Sequence, residues 1–290
     1  MRIPSNKLKA ILKFAKTELV PFYDEREIQS FFYLLCEHYL GIDKTDVLLN
    51  PDYALSESEL LKFNFAIKDL KTEKPIQYIL GKTEFFGFDF IVNKHTLIPR
   101  PETEELVKWV IDNEDPTSSL QILDVGTGSG CIAISIAKQL PQAKVMGVDI
   151  SEEALQIAQL NNENLNASVS FELLDILNPA DSFKAEFDLI VSNPPYVLET
   201  EKSLMKKNVL KYEPSKALFV DDNNPLLFYK KILDFAQNHL VSNGKIYFEI
   251  NEKMGEEISI QLAKFNYQNI QLKNDLFDRT RMIMGIKKAI

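Results

Sequence analysis

With 290 residues and 45% hydrophobic content, the chain can bury one large core and leave material for a second, smaller domain. Its 42 acidic residues outnumber 33 basic ones, giving a net charge of −9, and no Lys/Arg run exceeds pairs such as Lys206-Lys207, which argues against direct nucleic-acid binding through phosphates. There is no run of about eighteen apolar residues and no charged leader followed by an apolar segment, so the chain reads as neither membrane-spanning nor secreted, and cytoplasmic by default.

Residues 1–74 carry apolar faces at helical spacing. Leu8, Ile11, Leu12 and Ala15 make the first, and Ile28, Phe31, Phe32, Leu35 and Tyr39 the second, before Gly41. Leu60, Leu61, Phe65, Ile67 and Leu70 make the third, with a capping box at Ser56 and Glu59 and a stop at Lys74-Pro75. These helices read as a small bundle placed to dock a protein substrate. Glu84 to Val92 alternates in polarity around Gly87 and reads as a hairpin, so that 75–99 links the bundle to a domain over 100–290.

That domain opens with a strand, Leu120 to Val125, a loop of Gly126, Thr127, Gly128, Ser129 and Gly130, and a helix from Cys131 to Leu140 closed by Pro141. Cys131 stands where a dinucleotide fingerprint wants its third glycine, and no Gly-Lys-Ser/Thr makes a P-loop. Glycines at 126, 128 and 130 let backbone approach a ligand without Cβ clashes, which suits the methionine part of S-adenosylmethionine. The next strand ends in Asp149, where a carboxylate can take the hydroxyls of a cofactor ribose. Its competing role is to stabilise the following helix, for which Ser151 is the better cap. A third strand ends at Asp175 and Ile176, which could take an adenine amino group and cover its ring; a plain loop aspartate is the competing reading. Cys131 reads as a small core residue. Cys36 lies on the other predicted domain, and His38, His95 and His239 show no ligand spacing, so neither a disulfide nor a metal is expected.

The apolar run Phe187 to Ser192 reads as a buried parallel strand, which Pro194 and Pro195 must end because neither can donate to a ladder. Asn193, Pro194, Pro195 and Tyr196 therefore lie at the carboxyl end of a strand, where open α/β sheets bind ligands. A planar NH2 group has a delocalised lone pair and two donors: the Asn193 side-chain oxygen and the Pro194 carbonyl can accept them, and the Tyr196 ring can cover the flat face. The pattern points to direct in-line methyl transfer to an amino nitrogen, with no covalent intermediate and no evident general base. Farther on, Leu226 to Leu240 reads as a helix that Gly244 ends, followed by a strand over Lys245 to Ile250. Another helix precedes the strand-like runs Gln268 to Leu272 and Arg281 to Ile286, an antiparallel pair expected to add an edge to a parallel sheet.

Pro75 to Gly81, Glu84 to Gly87, Leu97-Ile-Pro-Arg-Pro-Glu-Thr-Glu104, Asp124 to Gly130, Ser192 to Tyr196 and Tyr212-Glu-Pro214 stand in the order typical of the peptide chain release factor glutamine methyltransferases, which the chain resembles from about residue 75 onward. The stretch from Leu97 to Glu104 is the most specific part. The resemblance implies an α/β S-adenosylmethionine-dependent methyltransferase fold, a seven-stranded, mostly parallel, doubly wound sheet with a reversed final strand, preceded by a small helical bundle. It further implies methylation of the glutamine in the Gly-Gly-Gln motif of class I release factors. Gly126 to Gly130, Asp149 and Asn193 would contact the cofactor, and Asn193 to Tyr196 would hold the glutamine. Glycines usual after Leu218 and Ile250 are replaced by Phe219 to Asn224 and by Asn251, where Asn tolerance of left-handed backbone is expected to preserve the turns. An adenine or cytosine amino methyltransferase would use the same four residues, and a non-catalytic cofactor-binding adaptor is the other rival; the acidic charge and the intact Asn193 to Tyr196 segment disfavour them respectively.

Overall fold

Apolar side chains three and four positions apart decide the N-terminal architecture. The computed structural model describes residues 5–180 and 183–289. Within them, α1 (Leu8–Leu19), α2 (Glu25–Leu40), α3 (Lys44–Leu49), α4 (Glu57–Leu70) and α5 (Ile76–Leu80) share one core. Asp24 caps α2 by accepting from the backbone of Arg26 and Glu27, and left-handed Gly41 ends it. The capping box of Ser56 and Glu59 starts α4 as expected. The buried face of α4 differs from expectation: Phe63, Ala66, Ile67 and Leu70 face inward, whereas Leu61 and Phe65 are 53% and 57% exposed. Only the first set keeps a strict i, i+3, i+4, i+7 spacing. The helix also stops at Leu70, and Pro75 instead opens α5. Helices α3 and α5 carry no periodic signal in the sequence, because at 6 and 5 residues they are too short for one.

The chain divides into two units. One runs up to Gly81 and takes in Lys206–Tyr212, where the Tyr212 hydroxyl and Lys211 Nζ donate to the Thr72 carbonyl. The other spans Lys82–Met205 and continues from Glu213. It begins with a hairpin, β1 (Lys82–Phe85) and β2 (Phe88–Ile91), whose Phe85 and Phe90 rings meet edge-on in the core of this larger unit. Then come α6 (Pro101–Asp112), β3 (Gln121–Val125), α7 (Cys131–Gln139), β4 (Lys144–Asp149), α8 (Glu152–Asn164), β5 (Val169–Leu173) and β6 (Phe187–Ser192). The remainder is β7 (Val197–Leu198), α9 (Lys207–Tyr212, in the first unit), β8 (Phe219–Val220), α10 (Leu227–His239), β9 (Leu240–Glu249), α11 (Gly255–Lys264), β10 (Tyr267–Asn274) and β11 (Thr280–Lys287). Helix α6 was not expected, although Pro101 at its start, Glu102 and Glu104 in its first turn and buried Leu106, Val107 and Val110 are its signals.

Seven strands form one sheet in the order β10-β11-β9-β6-β3-β4-β5. Neighbours from β9 through β5 are parallel, and β11 runs antiparallel to both β9 and β10. Alternate side chains along β3, β6 and β9 go to opposite faces: Leu123, Ile190 and Phe248 join a core with α10 and α11, while Ile122, Leu189 and Tyr247 join one with α6 and α7. The antiparallel pair expected at the edge of the sheet is present, with the reversed β11 one place in and β10 outermost. One expectation is corrected. Gly244 does not end a helix: α10 stops at His239, and β9 begins when Leu240 pairs with Phe187, bulging through left-handed Asn243 before pairing resumes at Lys245. A Cβ on Gly244 would lie 2.8 Å from Leu240 Cδ1, so close backbone approach is what needs glycine there. Among the described residues no helix is long and apolar enough to cross a membrane.

Candidate active site

Two constructions meet at the carboxyl edge of the sheet. After β3 the chain turns through Gly126, Gly128 and Gly130, all with positive φ, into α7. The backbone N–H groups of Gly126 and Thr127 donate to the Val148 carbonyl, and the Thr127 hydroxyl donates to buried Asp124 at 2.6 Å. A Cβ on Gly130 would lie 2.9 Å from Ile134 Cδ1, whereas one on Gly126 would meet no atom within 4 Å, so one glycine admits the helix and the other leaves an open cradle. Asp149, at the end of β4, accepts from Gly128 N at 2.9 Å and from Ser151 N at 3.0 Å, while Ser151 itself caps α8. Asp149 thus ties the loop to the next helix, and burial pushes its pKa up against the pull of those two N–H groups. Burial also holds the Cys131 thiol up at about 12, as fits a core residue.

The second construction follows β6. Ser192 is in register with Val125, and its hydroxyl donates to the Val125 carbonyl at 2.7 Å, so Asn193 and Gly126 leave the sheet from paired positions. Asn193 Nδ2 donates to Thr103 Oγ1 at 3.1 Å, and Thr103 donates to Glu249 Oε2 at 2.6 Å. The Tyr196 hydroxyl donates to Glu249 Oε1 at 2.9 Å. Glu249 is 1% exposed; burial raises its pKa, and the Thr103 and Tyr196 hydroxyls pull it back down.

The stretch before and into α6 serves as a hub for this end of the sheet. Ile98 N and the Arg100 guanidinium both donate to buried Glu213, at 3.0 and 2.6 Å. Thr103 carries Asn193, and Glu104 accepts from Phe86 N in the hairpin turn. Asn161 of α8 lies against the other construction: it exchanges hydrogen bonds with the backbone of Ile91 and donates to the Ser129 carbonyl. Thr103, Glu249, Glu213 and Asn161 were not among the expected site residues, although Thr103 lies within the Leu97 to Glu104 motif. Two adjacent polar residues, Asn161 and Asn162, among the buried residues of α8 are the signal that could have found Asn161.

The remaining candidates sit apart from this network. Asp175 accepts from Leu177 N and Asn178 Nδ2 in its own turn, and Ile176 packs on the core. The left-handed turns expected of the Asn substitutions do not occur: neither Asn223, Asn224 nor Asn251 has positive φ. Asp221 instead holds its turn by accepting from Asn223 N, and Asn251 donates to Glu201 at 3.1 Å.

A methyltransferase-domain family model matches residues 116–222, and a PrmC N-terminal domain model matches residues 10–81. The chain is 50% identical over 268 residues to the release factor glutamine methyltransferase of Flavobacterium psychrophilum, covering 91% of this chain and 94% of that protein. Against the protein of that name from Bacteroides thetaiotaomicron it is 42% identical over 276 residues, covering 95% and 99%. The chain belongs to the release factor glutamine methyltransferase family. Its fold is that of S-adenosylmethionine-dependent methyltransferases: a methyltransferase from Pyrococcus furiosus aligns with TM-score 0.52 at 20% identity, over 71% of this chain and 91% of that one. S-adenosylmethionine is the methyl donor of this family member. The residues present fit it, since the cradle at Gly126 is open and Asp149 stands beside it with lone pairs beyond those its two N–H partners use.

Proposed function

We propose that this methyltransferase acts on class I peptide chain release factors and places the methyl group on the side-chain amide nitrogen of the glutamine in their Gly-Gly-Gln motif. The observation that carries this reading is the register pairing of Val125 with Ser192, which starts the open glycine loop and the amide-accepting Asn193 side by side. Relatives alike over nearly their whole length bear the corresponding name. The N-terminal helical unit is the part assigned to docking the release factor. Neither nucleic acid nor membrane takes part, and the reaction is placed in the cytoplasm.

When bound, S-adenosylmethionine supplies an electrophilic methyl carbon on a sulfonium sulfur. Gly126 to Gly130 would hold its methionine part, Asp149 its ribose, and Asp175 with Ile176 its adenine, with Asn193 in contact as well. The glutamine nitrogen is a poor nucleophile, so the protein's part is alignment. Asn193 Oδ1 accepts one amide N–H and the Pro194 carbonyl the other, preorganised because Pro195 restricts the backbone before it. The Tyr196 ring covers the amide face, a contact worth roughly 0.5–1.5 kcal/mol beyond its buried area. No side chain has to remove a proton beforehand, because the nitrogen is strongly acidic once methylated and then loses its proton to water.

Labelled S-adenosylmethionine, offered with an unmethylated release factor and separately with adenine-containing DNA and RNA, tests the reading. Label is expected on the release factor alone, with peptide mass spectrometry placing one methyl on the motif glutamine. Label on nucleic acid and none on the release factor overturns the proposal.

A further inference from the structure

Asn193 presents two chemically opposite ends, an oxygen and an NH2, on a side chain whose shape hardly distinguishes them. Turned one way it accepts from a substrate amide; turned the other it sets donor against donor. The choice is made by groups distant in sequence. Thr103 lies on α6 and Glu249 at the end of β9, and both are buried. Both Glu249 oxygens act as acceptors, and the Thr103 hydroxyl, 2.6 Å away, gives its single proton to Oε2. The Thr103 oxygen is then left to accept, and the atom 3.1 Å from it must be the Asn193 NH2. Oδ1 is thereby turned away from Thr103. The other carboxylate oxygen is taken up in the same manner by the Tyr196 hydroxyl at 2.9 Å, so one carboxylate orders both ends of the Asn193 to Tyr196 segment.

We propose that Glu249 and Thr103 are positioning residues for methyl transfer: through a relay of hydrogen-bond polarity they hold the Asn193 oxygen toward the substrate amide. The inference rests on the function proposed above. It separates Glu249 from a packing role, because the isosteric Glu249→Gln keeps the volume yet replaces one acceptor by an NH2. That NH2 must face either Thr103 or Tyr196. Against Thr103 it drives the hydroxyl proton toward Asn193 and turns the amide over; against Tyr196 it releases the phenol.

The test measures kcat on a release factor alongside S-adenosylmethionine binding by calorimetry, with circular dichroism to confirm folding. Thr103→Val and Glu249→Gln are each expected to lower kcat by about 10²-fold, the scale of a misplaced reacting group, with cofactor affinity kept within about threefold. Thr103→Ser, which retains the hydroxyl, is expected to restore most of the rate. In an Asn193→Ala background, Thr103→Val should cost little more, because the relay then has nothing to orient. A folded, cofactor-binding Thr103→Val enzyme with the parent kcat overturns the relay, as does an equal loss for Thr103→Ser or a full additional loss on top of Asn193→Ala. A parent enzyme that labels nucleic acid and not the release factor overturns the proposed function itself, and this inference with it.

Discussion

The two halves of the site are built in different ways. The glycine-loop half consists largely of backbone: N–H groups of Gly126, Thr127 and Gly128 make its bonds, and its ligands Val148 and Asp149 lie on the adjacent strand. The Asn193 half consists of side chains drawn from α6, the end of β6 and the end of β9. A backbone cradle works through shape and tolerates a neutral neighbourhood. A side-chain relay depends on which atom donates and which accepts, and one wrong member reverses the rest. The consequence is that the cofactor half should fail in affinity and the amide half in rate.

The sharpest break in that comparison is Asn193→Ala. Loss of an acceptor aimed at the reacting nitrogen should lower kcat by about 10²–10³-fold, by analogy with removal of one oxyanion-hole donor, while S-adenosylmethionine binding changes far less. Stopped assays and calorimetry on the same preparation check it; near-parent turnover would falsify the assigned role. On the other half, Asp149→Ala should weaken cofactor binding by roughly 1.5–3 kcal/mol for each charge-assisted hydrogen bond lost, leaving release-factor binding unchanged. Equal cofactor affinity in variant and parent means that Asp149 serves only Gly128 and Ser151.

Asn161→Ala tests how far the backbone cradle depends on one side chain. It strands the buried Ser129 carbonyl, at about 1–3 kcal/mol, and removes the partners of the half-buried Ile91 N–H and C=O at a smaller cost, and should lower the thermal midpoint and cofactor affinity together. A variant as stable as the parent shows that the loop holds itself. The last effect concerns pH. Burial raises the Asp124 carboxyl to about 7, against the Thr127 hydroxyl that favours its charged form. The folded state then holds this proton more tightly than the unfolded chain, whose value is about 3.9. The contribution of Asp124 to stability is present below about pH 4, declines as pH rises toward about 7, and is flat above. Asp124→Asn lacks that decline, so the stability of the variant relative to the parent should rise across the window. A pH-independent difference in chemical denaturation contradicts the assignment.

Features with short sequence range were legible without coordinates. The glycine loop between a strand and a helix, the Ser56–Glu59 box, the hairpin around Gly87 and the strand ended by Pro194 each rest on neighbours a few residues apart. They recur in the structure close to where residue chemistry puts them. The misreadings arose where a local signal had a tertiary competitor. Leu61 and Phe65 look apolar enough for a core, but helix phase assigned that face to Phe63 and Ala66. Gly244 follows a helical run as a cap would, but strand pairing at Leu240 had already ended the helix.

A glycine turn between a strand and a helix, and two prolines that end a strand beside an Asn, were legible in the residues alone, because φ restriction and missing donors act within a residue or two. Which way that Asn faces was settled by packing. Its orientation depends on Thr103 and Glu249, residues brought within hydrogen-bond reach by the packing of α6 on the sheet and by the pairing of β6 with β9. A hydrogen bond has a direction and a range of about 3 Å, so no spacing along the chain can announce it before the fold closes that distance.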